Sequence, residues 1–152
     1  MTEKRANASL AVYAGSVFII GGETSTRKRN AIVEPSVTDS RQLLATVEVL
    51  DEKRKKWRKI GPDNKYGCLP NGTCQMAVCG ATGHGIFLSG GENNEYEFAM
   101  IRFDDIDDNE KYGGGFSSIV RQHTTYVKLE PHKFAHVGHQ MHWINGKLYL
   151  GK

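Results

Sequence analysis

Long apolar runs, paired cysteines and the common hydrolase motifs are all missing from this sequence of 152 residues. No run approaches the ~20 apolar residues that a membrane-spanning helix needs, so no membrane partner is expected. Cys68, Cys74 and Cys79 are odd in number and lack a Cys-x-x-Cys spacing. Neither a disulfide framework nor a zinc site is therefore supported, and free thiols in a reducing compartment fit best.

Charge of one sign is also scarce, because the formal net charge is only +3. That value is too small to argue for nucleic-acid binding. Basic residues cluster at 27–29 and 53–59. We interpret them as solvated turns, with a nuclear-localisation or phosphate-binding role as the alternative for the second cluster. Residues 4–20 are similar to a signal peptide, but Ala14-Gly15-Ser16 interrupts the apolar run. We predict a cytoplasmic protein, with the nucleus as an alternative and secretion disfavoured.

Glycine is present in excess, because the 17 glycines are about 11% of the chain, compared with ~7% in an average protein. This excess favours a turn-rich β-protein. The pattern "apolar strand, small turn, apolar strand ending in Gly-Gly" occurs at residues 8–22 and again at 76–91. Residues 136–152 begin a third copy, in which Asn145-Gly146 is a strong hairpin signal. Repeats of several short strands at this spacing predict an all-β propeller built from antiparallel blades.

Two further strands follow each glycine pair. Residues 46–51 and 98–104 alternate in polarity and end on Asp51 and Asp104, and the fourth strands are predicted at 57–60 and 126–129. These residues resemble the kelch repeat, whose blade combines a Gly-Gly strand end, an aromatic-Asp strand and a Trp strand. The matching positions are Gly21, Gly22, Asp51, Trp57, Gly90, Gly91, Asp104 and, in place of Trp, Tyr126.

The resemblance implies one partial propeller over residues 1–152. We predict a first blade at about 8–60, a second at about 75–130 and a half blade at 134–152, an incomplete ring compared with the usual 4–8 blades. We also expect the indole of Trp57 to cover the space that Gly21 and Gly22 leave free.

Both complete repeats exceed the ~50 residues of a kelch blade because they carry insertions at 24–43 and 105–121. Loops on one face of a propeller form its binding surface, so we treat both insertions as candidate partner-binding loops. The residues selected in them are Arg27, Lys28, Arg29, Asp105, Asp107, Asp108, Tyr112 and Phe116.

No metal site or cofactor is predicted. The acidic run that starts at Asp104 lacks the glycine and glutamate spacing of an EF-hand loop. In one continuous strand His136 and His142 would share a face while His139 pointed away, so the three would not converge on a metal.

The resemblance implies a non-enzymatic protein-interaction scaffold. Relatives include substrate-recognition propellers of ubiquitin-ligase adaptors and actin-binding elements, although the dimerising BTB segment of such adaptors is not expected here. One alternative is a propeller enzyme of the sugar oxidase or epimerase type, and another is a non-functional truncated product. The partner is unknown, and exposed blade faces make self-association a further hypothesis.

Overall fold

The computed structural model describes residues 1–26, 40–51, 54–60, 69–103 and 124–151. Every regular element in these ranges is a β-strand, which confirms the predicted all-β class. The strands are β1 (Ser9–Tyr13), β2 (Ser16–Ile20), β3 (Glu23–Thr26), β4 (Ser40–Leu43), β5 (Val47–Asp51), β6 (Lys56–Lys59), β7 (Ala77–Ala81), β8 (Gly85–Ser89), β9 (Phe98–Phe103), β10 (Thr124–Lys128), β11 (Gln140–Ile144) and β12 (Lys147–Gly151).

These strands form two antiparallel four-stranded sheets and two hairpins. The first blade has the order β1-β2-β5-β6, and the second blade has the same meander in β7-β8-β9-β10. The pair β11-β12 is the third hairpin, and β3-β4 is the side hairpin. The side hairpin lies inside the first insertion, where the sequence predicted only a polar loop.

Local turn chemistry explains why the paired strands fold back on themselves. Asn145 and Gly146 have φ values of 49° and 77°, the left-handed conformation that a two-residue hairpin turn of this type requires. The turn brings Ile144 opposite Lys147, and the predicted hairpin is confirmed.

The main core lies between the first and second blades. Alternate residues of a strand face opposite sides of its sheet, and Ala11, Phe18 and Val49 of the first blade face the second. Ile86 and Ile101 of the second blade complete the contact, and all five side chains are buried. On the other face of the first blade, Leu10 and Val12 stay exposed.

The first strands of the three repeats lie side by side, since β1 contacts β7 and β7 contacts β11. Gly80 makes the closest of these approaches possible. A Cβ placed on Gly80 would lie well under 3.0 Å from the carbonyl oxygen of Val12, a distance that real side chains essentially never show. The neighbouring first strands therefore depend on a missing side chain.

The third hairpin packs on the far face of the second blade. The ring of Trp143 stacks on Phe87 at a centroid distance of 5.8 Å and meets the edge of His84 at 5.1 Å. Met141 of the same hairpin face is buried. Each repeat thus packs on the preceding one, which is how propeller blades are arranged.

The two predicted binding insertions leave the sheets at opposite edges. The glycine edge is the edge where β2 and β8 end, and the connection from β2 to β5 starts there. The connection from β9 to β10 lies at the other edge, because Phe98 pairs with Ser89 near the glycines and Phe103 is five residues further along. The expectation that both insertions belong to one binding face is therefore wrong, since antiparallel strands alternate in direction.

We expect Gly80→Ala to destabilise the protein by about 1–3 kcal/mol, the usual cost of forcing atoms into a packed site. Gly151→Ala is the matched control, because Gly151 is also a strand glycine but its Cβ would meet nothing within 4 Å. Urea unfolding of both variants measures the difference. Equal stabilities would contradict the close approach of β1 and β7.

Candidate functional site

Three main-chain segments meet at the first glycine pair. The amide of Gly21 donates to the carbonyl of Thr46 at 3.0 Å, and the amide of Gly22 donates to the carbonyl of Thr73 at 2.8 Å. A Cβ on Gly21 would overlap that same Thr73 oxygen. The segment that leads into the second blade therefore closes directly over the end of β2.

The second glycine pair repeats this arrangement. The amide of Gly91 donates to the carbonyl of His136 at 2.9 Å, and a Cβ on Gly90 would overlap the His136 oxygen. Thr73 and His136 each lie four residues before the first strand of the next repeat. The glycines thus form equivalent junctions between successive repeats.

Trp57 does not cover Gly21 and Gly22, so that expectation is wrong. Trp57 pairs with Leu50, whereas Gly21 lies opposite Thr46 at the other end of β5. Four strand positions separate the two levels, roughly 13 Å along the sheet. The atoms nearest to the missing Cβ positions belong instead to Thr73, Leu44, Ala6 and Ala8.

Asp51 takes part in a local turn contact, whereas Tyr126 lies near the glycine pair of its own sheet. The Asp51 carboxylate accepts a hydrogen bond from the amide of Arg54 at 3.1 Å, which stabilises the turn between β5 and β6. The Tyr126 hydroxyl donates to Glu97 at 2.5 Å. Burial, followed by this carboxylate, raises the pKa of Tyr126. Tyr126 lines a small cleft between the blades, together with Leu69, Thr73 and Gly90.

A buried ion pair supports the first glycine pair. The guanidinium of Arg5 pairs with Glu48, and both side chains are 0% exposed. Arg5 also donates to the carbonyl of Gly21 at 2.7 Å, and the amide of Thr2 donates to Glu48 at 2.7 Å. Burial alone would raise the pKa of Glu48, but the Thr2 amide and the Arg5 charge outweigh it and hold the pKa below its usual value.

Arg41 links the two repeats at the glycine edge. It pairs with Glu23, which follows the first glycine pair, and it binds both oxygens of Glu92, which follows the second, at 2.7 and 2.6 Å. The thiol of Cys74 donates to Glu92 at 3.2 Å. Burial, followed by the Glu92 carboxylate, raises the pKa of this thiol, so Cys74 is a neutral structural group.

Three histidines and a serine gather at the second glycine pair. The hydroxyl of Ser89 lies 2.6 Å from His132 Nε2 and 2.9 Å from His139 Nε2, and the ring of His136 lies 4.7 Å from both imidazoles. The single-strand premise for the histidines is wrong, because β11 begins only at Gln140. His136 and His139 precede it, while His142 lies on β11 and is exposed.

Several predicted site residues lie outside the described residues. They are Arg27, Lys28, Arg29, Asp104, Asp105, Asp107, Asp108, Tyr112 and Phe116. Sequence reasoning also missed Arg5, Glu48 and Arg41, the charged residues that organise the glycine edge. Glu48 fits the alternating pattern of the strand at 46–51, so the pattern alone did not signal its burial.

In the part of the chain that the structure describes, no group of three or more His, Cys, Asp or Glu side chains is arranged to hold a metal ion. Within the same ranges, no helix has the length and apolar character that crossing a bilayer requires. Ser89 and His139 are nearly inaccessible, at 1% and 8% exposure, so their contact has no room for a substrate.

Two four-stranded meanders of the same topology, joined through equivalent glycine junctions, define a repeat protein of propeller blades. The family model described as the Kelch motif matches residues 4–64, which contain the whole first blade. The first blade therefore matches a kelch motif, which supports a kelch-repeat family for this chain. No curated protein matches the chain. A Kelch motif suggests a protein-interaction module of the propeller type.

We expect Gly90→Ala to cost at least about 2 kcal/mol more than Gly83→Ala, because added atoms in a packed site are destabilising. Both glycines have positive φ, 63° and 78°, so each variant carries the same backbone strain. Only Gly90 has a carbonyl against its Cβ position, whereas Gly83 meets nothing within 4 Å. Equal unfolding free energies in urea would show that the junction does not need the glycine.

We expect Glu48→Gln to destabilise the protein by about 3 kcal/mol at pH 7, because it leaves the buried Arg5 charge without its main partner. The pKa of Glu48 is lowered in the folded state, so its contribution is present above pH 4.5 and is lost as the pH falls below that value. Unfolding free energies measured between pH 7 and 3 should therefore fall less steeply in the variant.

Glu92→Gln is the control for this experiment, since Glu92 and its partner Arg41 are partly exposed, at 37% and 45%. We expect a much smaller loss from it, because water screens exposed pairs. A Glu48→Gln variant with the stability and acid dependence of the wild type would refute the role of the buried pair.

Proposed function

We propose that this chain is a protein-binding module whose contact surface is the glycine edge. The observation that carries the proposal is that close-packed, repeated junctions hold three different loops at this edge. These are the side hairpin β3-β4, the loop at 90–97 and the connector at 129–139. A rigid scaffold that presents variable loops is the usual arrangement of a binding site.

Exposed apolar side chains at this edge support the proposal. Tyr96, Phe134 and Val137 are 55%, 75% and 47% exposed. The amide of His132 donates to the carbonyl of Tyr96 at 2.9 Å, and the amide of His136 donates to Glu95 at 2.7 Å, so the loop and the connector lie together. Aromatic residues that protrude from a fixed backbone are typical contact residues in protein interfaces.

The finer assignments rest on the kelch family. Within this proposal, residues 1–152 are one partial propeller with blades at about 8–60 and 75–130 and a half blade at 134–152. The role would be recognition of a protein substrate, as in ubiquitin-ligase adaptors, or of actin. The module would act without catalysis and without a cofactor, in the cytoplasm or the nucleus.

Self-association is a second candidate interaction. Leu10 and Val12 on the outer face of the first blade are exposed, and so are Ile144 and Tyr149 on the outer face of the third hairpin. In the first blade, Ala11 and Phe18 occupy the positions equivalent to His142 and Tyr149, and they are buried against the next repeat. A second copy offering an apolar sheet face would cover these residues in the same way.

The test uses photo-crosslinking amino acids placed at Phe134 and, as the control, at Thr82 on the opposite edge, both of which are exposed. In cell extract, we expect Phe134 to crosslink to discrete proteins, and excess uncrosslinked chain to compete these products away. Thr82 should give none of them. Identical products from both positions would refute the glycine edge as the binding surface, and crosslinks to the chain itself would instead support self-association.

A further inference from the structure

The imidazole cluster, consisting of His132, His136 and His139 around Ser89, sits where the third repeat joins the second blade. Ser89 is the last residue of β8, and the three histidines belong to the connector that leads into β11. His132 also packs against Phe98 of β9, with ring centroids 5.1 Å apart. The cluster therefore bridges two repeats.

The main chain of the connector carries the rest of this junction. The amides of His132 and His136 donate to Tyr96 and Glu95, and the amide of Gly138 donates to the carbonyl of Gln75 at 3.0 Å. Gly91 in turn donates to His136. Displacement of the imidazoles would disturb the segment that positions the third hairpin.

The hydrogen bonds of the cluster favour an uncharged ring at His139. Ser89 has one hydroxyl proton, yet it contacts the Nε2 atoms of both His132 and His139. It can donate to at most one of these nitrogens, and it can accept from the other or from both. Nδ1 of His139 is buried without a hydrogen-bond partner, so a proton added to this ring would place an N–H group against no acceptor.

The groups that act on His132 and His139 do not stabilise a positive charge on either ring. His132 and His139 are acted on by His136, and His139 also by His132, so each added charge would repel the next. The segments that pack around the imidazole cluster also contain charged residues. These are Glu95 and Glu97 in the loop before β9, and Glu130 and Lys133 in the connector. Glu97 accepts from Tyr126, and Glu95 contributes its backbone carbonyl to the junction.

We propose that this cluster is a pH-sensitive contact: proton uptake in mildly acidic solution weakens the packing of the third hairpin on the second blade. The proposal does not depend on the binding function. Acidification would then expose the apolar surfaces that Phe87 and Trp143 bury against each other.

The direction of the effect follows from the buried ring of His139 and the partly buried ring of His132. Burial, followed by neighbouring imidazoles, lowers the pKa of His132 and of His139 below 6.5. The open state therefore binds protons that the packed state excludes. The stabilisation is complete above pH 6.5 and is lost as the pH falls through the lowered values.

Amide hydrogen exchange on the full chain tests this proposal. Protection of β11 and β12 is compared with that of β1 and β2 at pH 7.5 and 5.5, after correction for the intrinsic exchange rate. Each proton taken up on opening raises the opening constant by up to about tenfold per pH unit. We expect the constant for β11 and β12 to rise about tenfold, and that for β1 and β2 to change much less.

His139→Gln should abolish most of this rise, because glutamine keeps a hydrogen-bonding group but takes up no proton. His142→Gln is the matched control on exposed β11 and should respond like the wild type. A full pH response in His139→Gln would overturn the proposal. If that variant does not fold, NMR titration of the wild-type histidines tests the proposal instead. Titration of His139 and His132 below pH 6.5 would support it, and titration of both at pH 6.5 or above would refute it.

Discussion

At Gly21 and Gly90 the carbonyl oxygen of the following repeat occupies the space where any other residue would place its Cβ atom. The next amides, those of Gly22 and Gly91, donate to the same two carbonyls, of Thr73 and His136. A methyl group at either position would separate donor from acceptor and leave buried polar groups unpaired, which costs more than an ordinary lost contact. The stacking of one repeat on the next therefore depends on two missing side chains.

The position four residues before the first strand carries different chemistry in each repeat. The residue four positions before the first strand is Arg5 in the first repeat, Thr73 in the second and His136 in the third. Arg5 forms a buried ion pair, the hydroxyl of Thr73 donates to the carbonyl of Glu92, and His136 joins the imidazole cluster. Since carboxylates and imidazoles titrate in different pH ranges, these equivalent positions differ in their expected response to acid.

The strand pairs were predictable because their signals are local: alternation of polarity, a Gly-Gly strand end and an Asn-Gly turn act within a few residues. The residues that pack against a glycine pair were not predictable, because they depend on the register between strands that are far apart in sequence. Trp57 was assigned to Gly21 from the motif alone, yet its position opposite Leu50 places it at the wrong level. The ion pair of Arg5 with Glu48 spans 43 residues and left no local signal, because a charge at Glu48 fits an alternating strand.

The contacts of the histidines were also not predictable from local sequence patterns. Treating His136, His139 and His142 as one strand required a boundary that periodicity does not define, and the strand starts after the second of them. Main-chain hydrogen bonds from the connector to Glu95 and Tyr96 keep the segment that contains His136 outside β11. The glycine junction fixes that path, since the His136 carbonyl must reach the amide of Gly91. A constraint on the backbone therefore determines where these imidazoles meet, and the function proposed for the edge depends on the same fixed path.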